Sequence, residues 1–210
     1  MRLPIAREGL RFLFLLLALA LVSWFTVPWL AWLWLFGAAF TAFFFRDPER
    51  AVPPDARTAV APADGRVLQV RTVREERFLK ADATVIDIFL SITDVHINRA
   101  PIAGRVAYRE YIPGKYVAAY APKASEINER NYVGIEAGPH RVLVCQIAGL
   151  VARRIVCWSK VGDELAKGQR FGLIRFGSCT QVFLPSQMTA TVKPGDRVIG
   201  GVTTVGRLVE

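Results

Sequence analysis

The chain has 210 residues, 52% of them hydrophobic, and 27 Lys and Arg against 18 Asp and Glu, for a formal net charge of +9. The basic residues are scattered, without an Arg/Lys-rich helix or an interleaved aromatic platform, which argues against a nucleic-acid binder. The charge fits an anionic membrane surface better, where each juxtamembrane Lys or Arg gains about 1 kcal/mol. The three cysteines, Cys145, Cys157 and Cys179, are odd in number and lack CxxC or His-paired spacing. They argue against a disulfide framework, predict no metal site and fit a reducing cytoplasm.

The apolar residues are unevenly spread. From Leu10 to Phe45 runs a nearly unbroken stretch of Leu, Phe, Trp and Ala, 36 residues long. About 20 residues cross a bilayer core, so the stretch is long for one span and slightly short for two. Pro28 offers a break, and Arg2 and Arg7 before the run and Arg11 at its start match Arg46 and Arg50 after it. The positive-inside tendency then favours a tight transmembrane helical hairpin with both ends in the cytoplasm, one tilted span being the alternative. A cleaved signal peptide fits worse, because the run is too long and has no early small-residue cleavage site. Residues 1–50 are therefore expected to anchor a domain formed by residues 51–210 at the cytoplasmic face of the cell membrane.

After a Pro/Ala linker, Val52-Pro53-Pro54-Asp55, short alternating or apolar segments follow, punctuated by Gly. Strands are predicted at 65–70, 84–92, 104–111, 132–135, 141–148, 153–157, 170–175, 180–184 and 189–192. No long amphipathic helix competes, so the class is mainly β. Two turns resemble each other: Val161-Gly162-Asp163-Glu164-Leu165, followed by Lys167-Gly168-Gln169, and Lys193-Pro194-Gly195-Asp196-Arg197-Val198, followed by Gly200-Gly201. In each, Gly-Asp supplies a permissive φ and an Asx-type bond. They resemble the turns of lipoyl- and biotinyl-type barrel-sandwich domains, and a barrel-sandwich-like domain is expected.

Three stretches carry candidate chemistry. Pro62-Ala63-Asp64-Gly65-Arg66-Val67 puts a carboxylate at a turn before a strand. Asp94-Val95-His96-Ile97-Asn98-Arg99-Ala100-Pro101 holds one of only two histidines. Arg175-Phe176-Gly177-Ser178-Cys179 places a Gly-Ser pair in a strand context. Glycine lets the peptide distort and leaves its carbonyl open to attack by the neighbouring hydroxyl.

Together with Ser125 to Asn131 (SEINERN) and Gln146 to Val156, these motifs in this order resemble the short bacterial phosphatidylserine decarboxylases, from about Arg46 almost to the end. The resemblance implies a self-processing proenzyme cut between Gly177 and Ser178, giving a β chain 1–177 and an α chain 178–210 that stay together as a heterodimer. Ser178 attacks the Gly177 carbonyl to form an ester; β-elimination and hydrolysis then leave a pyruvoyl group in place of Ser178. That group is the cofactor: it forms a Schiff base with the serine headgroup of phosphatidylserine, and loss of carbon dioxide gives phosphatidylethanolamine. Serine needs a base and an orienting group. His96 and Asp64 are the candidates, by analogy with a Ser-His-Asp arrangement. Arg99, Arg153 and Arg154 are candidate partners for substrate carboxylate or phosphate, since guanidinium pairs bidentately with such anions.

Two departures stand out. Longer members have a second histidine where this chain has Arg99, so either His96 serves both steps or the base lies elsewhere, His140 being the only other histidine. Cys179 replaces the Thr or Arg common after the serine. A membrane-anchored barrel-sandwich adaptor and a serine hydrolase are the rival classes. The first lacks a coiled-coil segment or a carrier lysine, and the second lacks the Gly-x-Ser-x-Gly elbow.

Overall fold

The computed structural model describes residues 4–117, 127–149, 154–175 and 178–209. The chain forms two compact units, Met1–Glu49 and Arg50–Glu210.

The first unit is a helical hairpin, α1 (Arg7–Thr26) and α2 (Pro28–Phe44). Pro28 sits at the first helical position of α2, where its fixed φ and missing N–H are tolerated. The Val27 N–H donates back to Ser23 O at 2.8 Å and closes α1. Trp34 Nε1 donates to Ser23 Oγ at 3.1 Å across the pair. At the open end Ala6 N–H bonds Phe45 O at 2.8 Å, and Gly9 lets the Phe45 ring so close that a Cβ would stand 2.5 Å from its Cγ. Outside, Phe25 is 79% exposed and Trp29 72%, an apolar aromatic surface of the kind that lipid covers. α1, with 20 residues, is long and apolar enough to cross a membrane, whereas α2 is a shorter apolar helix.

In the second unit, fourteen strands are formed among the described residues: β1 (Thr58–Val60), β2 (Gly65–Glu75), β3 (Ala81–Leu90), β4 (Ile97–Arg99), β5 (Gly104–Ile112), β6 (Arg130–Ala137), β7 (His140–Ile147), β8 (Ile155–Cys157), β9 (Glu164–Leu165), β10 (Arg170–Ile174), β11 (Ser178–Pro185), β12 (Met188–Ala190), β13 (Arg197–Val198) and β14 (Thr204–Leu208). The class is mainly β, as expected. One eight-stranded sheet, ordered β13-β2-β3-β11-β7-β6-β5-β9, curls into a half-barrel. Two small sheets, β1-β14-β12 and β4-β10-β8, complete the unit.

β11 lies between β3 and β7 and is buried along all eight residues. Its side chains alternate between faces: Val182 and Leu184 join a core with Val67, Ile88 and Val144, while Cys179 and Phe183 join a second core with Phe78 and Leu143. Ser178 and Thr180 share the face of Val182 and Leu184.

The domain is internally repeated. Pro62-Ala63-Asp64-Gly65-Arg66-Val67 recurs as Pro101-Ile102-Ala103-Gly104-Arg105-Val106. Gly65 and Gly104 adopt φ of 154° and 155°, and each presses on a neighbouring carbonyl, Phe89 O and Glu136 O, where a Cβ would not fit. The Gly-Asp turns dock on these two strands alike: Gly195 N–H donates to Val67 O and Gly162 N–H to Val106 O, both at 2.8 Å. Each Asp closes its own turn, Asp163 accepting from Lys160 N–H at 2.8 Å and Asp196 from Lys193 N–H at 2.9 Å. The two turns that resemble each other in sequence are thus counterparts in the fold. In this correspondence the partner of Asp64 is Ala103.

Candidate active site

Ser178 opens β11 opposite Leu90, the last residue of β3. The chain then turns through Ser91–Asp94, where Asp94 Oδ2 accepts from Ser91 N–H at 2.8 Å and Asp94 N–H donates to Ser91 O at 2.9 Å. This compact turn delivers His96, which is buried. His96 Nδ1 lies 2.9 Å from Asp94 O. A carbonyl can only accept, so Nδ1 carries the hydrogen and Nε2 is the ring nitrogen left to take or give a proton. Ile174 N–H donates to His96 O at 3.2 Å, and Asn98 Nδ2 donates to Thr180 Oγ1 at 3.1 Å. The β3–β11 and β4–β10 pairings therefore bring His96 and Ser178 to one end of β11. Ser178 Oγ is buried and has no hydrogen-bond partner among the described residues.

Asp64 sits in the turn before β2. Its Oδ1 accepts from Gly200 N–H at 2.8 Å and its Oδ2 from Arg50 Nη2 at 2.8 Å. Burial pushes its pKa above the usual carboxylate value, against the Gly200 N–H and the Arg50 charge; facing charges are Asp94, which adds to the rise, and Arg99, which opposes it. Asp64 thus belongs electrostatically with the His96 turn, although the hydrogen bonds described for it run to Arg50 and Gly200. Arg99 is buried, with Nη1 donating to Gly168 O at 3.1 Å. Arg154 is exposed, and its carbonyl accepts from Arg175 N–H at 3.2 Å. Gly177 and Arg153 lie outside the described residues. His140 begins β7, seven residues from Ile147, which faces Cys179. At about 3.4 Å per residue that is roughly 24 Å from the Ser178 end.

A set of residues that sequence reasoning had given no role ties these parts together. Gln146 Nε2 donates to Asn98 Oδ1 at 2.8 Å, and Asn131 Nδ2 donates to Gln146 Oε1 at 2.8 Å. With Thr180 this forms a chain of buried polar side chains across β6, β7, β4 and β11. Each sits at an inward position of a predicted or observed strand, which was the available signal. Asp94 is the second such group, acting through its carbonyl on His96 and through its carboxylate on Arg197 at 2.6 Å. The three cysteines are free.

A buried serine hydroxyl without a hydrogen-bond partner among the described residues, at the head of a central strand and at the same strand end as a histidine of fixed tautomer, is an arrangement suited to a self-contained nucleophile. The phosphatidylserine decarboxylase family model matches residues 37–206. A phosphatidylserine decarboxylase proenzyme of Symbiobacterium thermophilum is 56% identical over 211 residues, covering 99% of this chain and 98% of its own. One of Carboxydothermus hydrogenoformans is 48% identical over 203 residues, covering 96% and 95%. The chain belongs to the phosphatidylserine decarboxylase family.

Proposed function

We propose that this chain is a proenzyme that cleaves itself between Gly177 and Ser178 and then decarboxylates phosphatidylserine to phosphatidylethanolamine, using a pyruvoyl group made from Ser178. The observation that carries the reading is the buried Ser178 Oγ, without a hydrogen-bond partner among the described residues, at the start of a fully buried central strand. The same observation fits the group: it is small, apolar enough for a buried site, and formed from the residue already there.

In self-cleavage Ser178 Oγ gives up its proton and bonds the Gly177 carbonyl carbon; the peptide C–N bond breaks and the nitrogen takes a proton. His96 Nε2 is the group assigned to that proton, with Asp94 O holding the ring by Nδ1–H. Asp64 favours the imidazolium through its charge rather than through a bond to the ring. The pyruvoyl group supplies an electrophilic carbonyl and an electron sink for carbon dioxide release. In turnover His96 returns a proton to the substrate carbon. Arg99, with Arg153 and Arg154, supplies positive charge for the anionic headgroup.

The α chain 178–210 stays with the β chain 1–177 because its first strand is held on both sides by β-chain strands. The N-terminal hairpin 1–50 anchors the enzyme in the cell membrane with the catalytic domain 51–210 on the cytoplasmic side, and the whole chain's net charge of +9 also draws it to anionic lipid. Intact-mass spectrometry under denaturing conditions tests the proposal. Two chains split before residue 178 are expected, the smaller lighter than its serine-started sequence by the one ammonia lost, about 17 Da. A single chain of 23.3 kDa from an active preparation overturns it.

A further inference from the structure

Arg50 is the first residue of the second unit and comes six residues after the end of α2. Its Nη2 stands 2.8 Å from Asp64 Oδ2, and only 18% and 15% of the two side chains remain exposed. The other carboxylate oxygen is occupied by Gly200 N–H. Asp64 therefore hangs between a residue of the linker and a residue of the segment that follows Ser178. The linker is fastened again further on. Val52 packs so tightly on Gly168 that no Cβ would fit there, and Gly168 O in turn holds Arg99. Lys167 Nζ bonds Asp55 O at 2.6 Å and Thr58 Oγ1 at 2.9 Å. The Pro/Ala stretch is thus no slack tether: it is seated on the loops that hold Asp64 and Arg99.

We propose that Arg50 is a positioning residue for self-cleavage, holding the Asp64 carboxylate ionised and aimed, so that the stretch leaving the helical hairpin takes part in the site. The inference rests on the assignment of Asp64 to that site. Burial and the facing Asp94 charge both disfavour Asp64 ionisation, while the Gly200 N–H, Arg50 and Arg99 favour it. Arg50 makes its contribution by direct contact, in a place where water screens it weakly. Loss of its charge leaves Asp64 protonated up to a higher pH, and cleavage that needs the carboxylate falls on the acid side.

The full chain, made by pulse-labelled cell-free synthesis into lipid nanodiscs, is chased from about pH 5 to about pH 9 while the 178–210 fragment appears. R50Q is expected to move the acid limb of the rate profile upward by roughly one pH unit, a loss of about tenfold at a fixed acidic pH. R50K keeps the charge and is expected to hold the limb near its wild-type position. An R50Q profile that superimposes on wild type, or that falls by one factor at every pH, overturns the proposal, as does an R50K limb displaced as far as that of R50Q. D64N separates the two levels. Wild-type cleavage in D64N removes Asp64 from the site and overturns both, whereas slow cleavage in D64N with an unshifted R50Q overturns the role of Arg50 alone.

Discussion

Ser178 pairs with Leu90 on one flank only, because the ladder to β7 starts one residue later, with Cys179 opposite Ile147. The proposed nucleophile is thus held by β3, while its other side stays outside the regular ladder. Replacement of the hydroxyl tests this position directly. S178A is expected to remain one chain and to release no carbon dioxide from phosphatidylserine, as read by gel and by labelled-carbon release. S178T, which adds a methyl group to a fully buried site, is expected to cleave more slowly than wild type.

H96Q is expected to slow self-cleavage and, in whatever chain is cleaved, to lower decarboxylation by about 10²- to 10⁴-fold, the usual contribution of a positioned proton-transfer group. Carbon dioxide release, normalised to the amount of 178–210 fragment, measures it. An unchanged rate would place the proton donor elsewhere.

Gln146 is the hub of the buried amide chain, donating to Asn98 and accepting from Asn131. Q146L strands both neighbours and is expected to cost about 1–3 kcal/mol of stability for each group left unsatisfied. Urea unfolding of the uncleaved S178A chain, with and without Q146L, reads the cost without interference from processing.

Two glycines of similar appearance should behave differently. At Gly65 an added Cβ collides with Phe89 O at a φ of 154°, so G65A is expected to destabilise by more than the roughly 1 kcal/mol typical of a glycine replacement alone. Gly138, at φ 58°, has open space around it, and G138A should cost about 1 kcal/mol or less. Thermal melts of the two variants should rank in that order.

Alkaline pH should weaken the fold through a buried thiol. Burial, with Tyr132, Arg130 and Arg77 partly opposing it, pushes the Cys145 pKa up from 9.0 to about 12. The folded state holds this proton more tightly than the unfolded state does, so the thiol's contribution is complete below about pH 9 and is lost progressively up to about pH 12. C145A should flatten that part of the stability–pH curve. Native Cys145 should also resist alkylation at pH 8, where a pKa near 12 leaves about one thiolate in 10⁴.

The nine predicted strands all overlap observed ones, with Arg153 of the sixth outside the described residues, because period-two alternation and glycine punctuation are local signals. The five strands that the sequence hides are too short or too uniform to show the alternation. β1 and β4 are three residues long and buried throughout, β9 and β13 have two residues each, and β14 is interrupted by Gly206. In the candidate site, Asp64, His96 and Ser178 stand out as motifs, but the partners the structure gives them do not. Gly200 contributes a backbone N–H, which no residue type announces, and Arg50 reaches Asp64 from the far side of the Pro/Ala linker. Asn98 and Gln146 meet across 48 positions, a distance over which sequence pattern carries no pairing information. The Pro62–Val67 repeat at Pro101–Val106 was present in the letters, yet only the matching turn contacts give it meaning.

The central place of β11 would make the proposed cut a one-way event for refolding. Before it, a denatured chain needs only to find its own middle strand, a search confined to one molecule and independent of dilution. After it, the strand that joins β3 to β7 would belong to a separate 33-residue piece, and recovery would become a meeting of two molecules, slower as they are diluted. Age would then be written into the protein's behaviour: freshly made copies would survive a brief denaturing shock that matured ones, equally well folded beforehand, would not.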